Sequence, residues 1–232
     1  MSAGHDLETY LLPSGQSKQL AVLLHPWSWL GGNCRDPVLH ELADSLHEAG
    51  FHVLRFNSRG VGQSTGRASF NGQAEVDDLL ELVQHTIQQA FSDVRRLVLI
   101  GYSHGSMICS RFPLNALGQV QVHHVLLSYP LAYRGVLTLF SAGTYQKALT
   151  TLLAEPGSRV LIIHGDRDDF TSTSKYNSWT EDLKTHAKGS LMVEVVNGAT
   201  HFWVGQYRAK LRSAVVEWVV SADDTTHVAQ QE

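Results

Sequence analysis

Cysteine is scarce in this chain, at two residues in 232. Cys34 and Cys109 are too few for a disulfide framework in a chain of this size, and the pair suits a reducing compartment in which both stay thiols. Charge of one sign is scarce as well: the formal net charge is −4, and the 18 basic residues are scattered along the sequence. No concentrated basic face of the kind that binds phosphate backbones is present, which excludes a nucleic-acid partner. Long apolar runs are missing, with no window approaching the roughly 18 to 20 residues that would span a bilayer. The opening stretch "MSAGHDLETYLLPSG" has neither a basic start nor a long apolar run, so it does not read as a secretory signal. These absences predict a soluble, cytoplasmic protein with no membrane span. Histidine is plentiful at 13 residues, yet no metal is expected. His123 and His124 are adjacent at a strand start, His25 and His164 stand at strand ends, and none forms a ligand spacing with cysteine or carboxylate.

What the sequence does have is a core. Its 43% hydrophobic content suffices for one domain. Short, continuously apolar runs recur near 19–25, 51–56, 96–101, 123–130, 159–165 and 191–196. Runs of that length without polar alternation suit strands covered on both faces, as in a parallel sheet. Helical patterns lie between them. "DPVLHELADSLHEAG" spaces Val38, Leu39, Leu42, Ala43 and Leu46 along one face and stops at Gly50; "AEVDDLLELVQHTIQQAF" does the same with Val76, Leu79, Leu80, Val83 and Ile87. "QYRAKLRSAVVEWVV" repeats the period near the end. Alternation of strand and helix predicts an α/β fold: a mostly parallel central sheet flanked by helices on both faces, one domain over residues 1–220, then a polar and flexible tail over 221–232. The acidic group Asp77, Asp78 and Glu81 reads as a solvated helix face.

One strand ends unusually. "LVLIGYSHGSMI", residues 97–108, passes from aliphatic residues to Ser103 between Gly101 and Gly105. A serine at the tip of a strand-turn-helix must hold a strained backbone, and glycines two residues before and after remove side chains that would collide with the neighbouring strand and helix. Its hydroxyl then projects from the carboxyl edge of the sheet, and the His104 backbone N–H behind it points toward the oxygen of an attacked carbonyl. Serine alone is a poor nucleophile and needs a base and an orienting acid. "VEVVNGATHFW" ends a strand in a loop carrying His201; "VLIIHGDRDDF" ends another in a loop carrying Asp166, Asp168 and Asp169. In a parallel sheet these loops share the serine's edge, and the order Ser, Asp, His is one that such sheets use for a hydrolytic triad.

These motifs, with "HPWSWLGG" at 25–32 and "RFNSRGVGQSTG" at 55–66, resemble the α/β-hydrolase superfamily, in particular its small, nearly lidless serine hydrolases. The resemblance runs from about residue 19 to 218. It implies an α/β-hydrolase fold with a minimal lid, Ser103 as nucleophile, His201 as base and Asp168 as acid, with Asp169 second and Asp166 capping its loop. It also implies a second oxyanion donor in the "HPW" loop; proline has no N–H, so the donor is the backbone of Trp27. The family often has a further histidine and proline in this loop, where Ser28 and Trp29 stand here.

"GVGQSTG" fails the spacing of a dinucleotide loop and has no helix directly behind it, so no cofactor is expected. Aromatic residues crowd the predicted rim, and Trp29, Tyr102, Tyr129, Phe202 and Trp203 are candidates for the wall of an acyl pocket. Fewer than 30 residues separate the strand ending near Pro130 from the one starting near Arg159, too few for a large lid. The expected activity is hydrolysis of carboxylic esters or thioesters with a small or medium acyl substrate, or one end of a larger molecule. Amide hydrolysis by the same residues and ligand binding without turnover are the alternatives.

Overall fold

The computed structural model describes residues 6–69, 71–131 and 142–221; the predicted tail beyond Ser221 lies outside them, as does part of the short segment after Pro130. Seven strands form one sheet: β1 (Thr9–Leu12), β2 (Gln19–Leu24), β3 (His52–Phe56), β4 (Arg96–Tyr102), β5 (Gln121–Leu127), β6 (Arg159–Gly165) and β7 (Ser190–Val196). The helices are α1 (Pro37–Glu48), α2 (Gln73–Ala90), α3 (His104–Cys109), α4 (Ala142–Ala154), α5 (Thr173–His186) and α6 (Gln206–Ser221). Strand order is β1-β3-β2-β4-β5-β6-β7, parallel throughout except for β1, which runs antiparallel to β3.

Period-2 alternation divides the core. Leu20, Val22, Leu97, Leu99 and Ile162 pack on one face with α2, α4 and α5, while Ala21, Leu23, Val98, Ile100 and Ile163 pack on the other with α1 and α6. This two-sided burial explains why the central strands read as unbroken apolar runs. Two strands depart from that reading. β1, "TYLL", is a short, half-exposed edge strand that no apolar run announced, and β7 leaves Met192 and Val195 exposed because it is the other edge. α1 starts as its residues dictate: Asp36 caps it by accepting from the Val38 N–H at 2.8 Å, with Pro37 in the first turn.

The chain steps outward from β2 to β3, then returns across β2 to begin β4. The connections leaving β2 and β4 therefore diverge, and a crevice opens at their carboxyl ends. Ser103 follows β4, and the loop from His25 follows β2. Both cysteines are buried free thiols. No described helix is long and apolar enough to cross a membrane.

Candidate active site

Ser103 sits at the junction of β4 and α3 with φ 53° and ψ −116°, a region that side-chain-bearing residues rarely enter. The flanking glycines make the turn possible by close backbone approach. A Cβ on Gly101 would stand 2.3 Å from the Gly105 carbonyl oxygen, and one on Gly105 would stand 2.5 Å from the Leu24 oxygen at the end of β2. The α3 helix is thereby seated directly on β2 and β4. Among the described residues, the non-glycine positions with positive φ are Ser103, Ser128 and Trp203, and all three follow the carboxyl ends of strands.

Three loops converge on the serine. His201 Nε2 lies 3.0 Å from Ser103 Oγ, and His201 Nδ1 lies 2.8 Å from Asp168 Oδ2. Ser103 and His201 are buried, and the Asp168 side chain is fully enclosed. Asp168 is held in turn by the backbone N–H groups of Phe170 and Thr171, each donating to Oδ1 at 2.9 Å. Its neighbours do other work. Asp169 Oδ2 accepts from the His201 backbone N–H at 3.3 Å, and Asp166 Oδ1 accepts from the Gly198 N–H at 2.6 Å, so both brace the histidine loop. The Tyr102 hydroxyl donates to the His201 carbonyl at 2.7 Å; burial first, then the carboxylates of Asp36 and Asp168, pushes that phenol well above its ordinary range, keeping it a donor. The Phe170 ring meets the imidazole edge-on, centroids 4.4 Å apart.

The β2 loop is fixed by His25, which the sequence offered as a strand-end histidine and the first residue of "HPWSWLGG", with no role of its own. His25 Nε2 accepts from the Ser58 N–H at 3.0 Å while Nδ1 meets the Pro26 oxygen at 2.7 Å. That arrangement needs the neutral ring, and burial lowers its pKa accordingly. The "RFNSRGVGQSTG" segment thus braces the loop from behind. Asn57 accepts from the Cys34 N–H at 2.8 Å and donates to Glu8 at 2.6 Å, and Glu8 is held down to a pKa of about 2 by the Gln63 N–H, Tyr10 and Asn57. Arg59 grips Asp78 with two bonds of 2.7 and 2.6 Å. Asp78 is therefore a partly buried anchor, unlike the solvated helix face its neighbours suggested.

A cavity of about 370 Å³ opens over Ser103, walled mostly by apolar side chains. Of the aromatic candidates, Tyr102 and Phe202 line it, together with Trp27 and His201. Three other aromatic candidates do not line it. Tyr129 is fully buried against Trp179; the Trp203 indole turns inward and donates to Ser128 Oγ at 3.0 Å; and Trp29 stands 80% exposed outside. Adjacency to one of these loops fixes a residue's place along the chain and not which way its ring points. Wall residues not singled out from the sequence include Leu30, Asp36, Pro130 and Phe170; Leu30 lies within "HPWSWLGG" and Phe170 next to the acidic loop, whereas Asp36 and Pro130 left no readable signal. The backbone N–H of His104, first residue of α3, has no intrahelical acceptor, and Trp27 precedes the short 3-10 turn Ser28–Leu30 on the cavity wall. No group of three His, Cys, Asp or Glu among the described residues could hold a metal ion.

A family model described as the alpha/beta hydrolase fold matches residues 30–130. An uncharacterized protein of Rickettsia prowazekii is 24% identical over 222 residues, covering 94% of this chain and 85% of its own. Among solved structures, a protein of unknown function from Agrobacterium tumefaciens superposes with a TM-score of 0.77 at 24% identity, covering 94% of this chain and 92% of the other. A serine hydrolase without lid from Xanthomonas campestris gives 0.71 at 22%, covering 93% and 88%. The switch-point crevice, the strained serine turn after β4 and these likenesses agree: the chain has the alpha/beta hydrolase fold.

Proposed function

We propose that the protein is a serine hydrolase that cleaves carboxylic esters or thioesters through an acyl-enzyme intermediate. The observation that carries this reading is the continuous line from Ser103 Oγ to His201 Nε2 at 3.0 Å and from Nδ1 to Asp168 Oδ2 at 2.8 Å, beneath an apolar cavity. The relation to a serine hydrolase of Xanthomonas campestris supports it.

In the first half-reaction Ser103 Oγ attacks the substrate carbonyl carbon while His201 Nε2 takes the hydroxyl proton. Asp168 holds the imidazole with Nδ1 protonated and stabilises the imidazolium that forms. The carbonyl oxygen, now carrying negative charge, receives the backbone N–H groups of His104 and Trp27. The tetrahedral intermediate collapses as His201 hands its proton to the leaving oxygen or sulfur, leaving the acyl group on Ser103. Water then repeats the sequence, with His201 as base toward water and acid toward Ser103. Every proton is accounted for by the chain's own side chains and solvent.

Rapid mixing of the protein with p-nitrophenyl butyrate tests the reading. The expected result is a burst of nitrophenol approaching one equivalent of protein, or steady turnover if deacylation is fast, and loss of either signal in Ser103→Ala. A folded wild-type protein that turns over neither this ester nor the corresponding thioester contradicts it.

A further inference from the structure

The cavity wall continues outward into side chains that folding leaves in water. Trp29 is 80% exposed, Leu30 65% and Phe202 53%. Leu30 and Phe202 nevertheless belong to the cavity wall. The Trp29 indole lies stacked on Trp27, another wall residue, with centroids 5.6 Å apart and planes 11° from parallel. Single exposed apolar side chains need no explanation, but several that share the mouth of one cavity point to a ligand that covers them.

The chemistry of the site decides which part of a substrate does so. The leaving group must reach the proton on His201 Nε2 and therefore lies on the His201 and Phe202 side. The acyl carbonyl oxygen must reach the amides of Trp27 and His104; the acyl chain is a separate substituent of the same carbon, and with the leaving group on the His201 and Phe202 side, the wall left to it includes Trp27 and Leu30. Asp36 also lines the cavity, with one carboxylate oxygen accepting from the Val38 N–H, so an acyl chain ending in a second carboxylate would bring a like charge near it.

Building on the serine-hydrolase reading, we propose that the turn Trp27–Leu30 is an outer acyl subsite, in which the distal, uncharged part of a medium-length to long acyl chain leaves the cavity over Leu30 and lies on the Trp29 indole. The preferred substrates are then esters or thioesters of extended apolar acyl groups, and Trp29 is a specificity-determining residue that touches substrate far from the reacting bond.

The test is a kcat/KM series on p-nitrophenyl butyrate, octanoate and decanoate, each below its micelle concentration, for the wild type, Trp29→Ser and Trp29→Phe. The exposed position of Trp29 lets the serine variant fold, and its Tm checks this. Expected are a wild-type kcat/KM that rises from butyrate to decanoate, and a decanoate-to-butyrate ratio that falls roughly five- to tenfold in Trp29→Ser, mainly through KM, with much of it restored in Trp29→Phe. An unchanged ratio, or a wild type that prefers butyrate, overturns the subsite. So does an unchanged ratio combined with Trp29-dependent sedimentation on phosphatidylcholine vesicles, which would make this face a membrane contact. If the wild type cleaves butyrate while the ratio stays flat, the subsite alone fails; if it cleaves no ester, the hydrolase reading fails and the subsite with it.

Discussion

Two buried histidines at different levels of the same sheet make an instructive pair. At the carboxyl rim, His201 has both ring nitrogens engaged, by Asp168 and by Ser103. Within β5, His124 is completely buried and neither ring nitrogen has a hydrogen-bond partner. The surroundings differ in the same sense. The carboxyl rim gathers the strained backbone of Ser103, Ser128 and Trp203, carboxylates satisfied by backbone N–H groups and a cavity. Lower in the sheet, His123 abuts Trp218 edge-on and the Arg159 guanidinium lies over the same indole at 5.2 Å. A buried imidazole is a candidate for chemistry when its two nitrogens are given opposite partners. Without partners it is a neutral core side chain, carried at a cost in stability.

The largest test of the contrast is at the rim. Ser103→Ala should lower ester turnover by several orders of magnitude with little change in Tm, measured with p-nitrophenyl butyrate. Next, Asp168→Asn should cost roughly three to four orders of magnitude in kcat, because the amide no longer holds the imidazole in its working tautomer. Asp169→Asn, which alters the acceptor of the His201 backbone N–H rather than a partner of its ring, should cost about tenfold or less; a larger loss in Asp169→Asn reverses the two roles.

Gly105→Ala should damage both folding and turnover, since its methyl group meets the Leu24 and His25 carbonyl oxygens at 2.5 and 2.8 Å, and backbone atoms cannot step aside cheaply. A loss of about 1–3 kcal/mol in urea unfolding is expected. The smallest effect belongs to the lower level of the sheet. His124→Leu removes a buried ring without partners and should raise stability by about 1 kcal/mol while leaving kcat/KM unchanged.

The same contrast appears in pH. Burial lowers His123 and His124 from 6.5 to about 3, with Arg96 and Arg159 adding to the effect at His123. Above pH 6.5 neither the folded nor the unfolded chain protonates these rings. As pH falls below 6.5 the unfolded chain takes up protons that the folded one refuses until about 3, so stability is lost progressively across that window. Chemical denaturation followed from pH 7 to 4 should show the decline, and His124→Leu should make it shallower; an equal slope in both proteins removes His124 from the explanation.

The contrast also marks what the sequence could tell. Ser103 and its glycines stood out because a serine at a tight strand-to-helix turn restricts five consecutive residues at once. His201 and the acidic loop were legible because a parallel sheet sends both loops to the serine's edge. The choice of Asp168 over Asp166 and Asp169 was not readable from residue type, as all three side chains accept backbone or imidazole hydrogens within one loop; resemblance pointed to it, and geometry separates the partners. β1 escaped notice because an edge strand of four half-exposed residues carries no apolar run. Trp203 and Tyr129 lie in the core instead because an aromatic residue beside such a loop is as able to fill the core as to face a ligand, and the buried Trp203 indole is held by Ser128 Oγ. His25 escaped because its role is to accept one N–H from a loop 33 residues away, a contact with no local signature.

The central claim is that Ser103 is an activated nucleophile. Its most direct test is to incubate the folded protein with a fluorophosphonate probe and map the adduct by peptide mass spectrometry. The account predicts one adduct per chain, on Ser103, and none in Ser103→Ala; a folded wild-type protein that stays unlabelled, or carries the adduct on another residue, contradicts it.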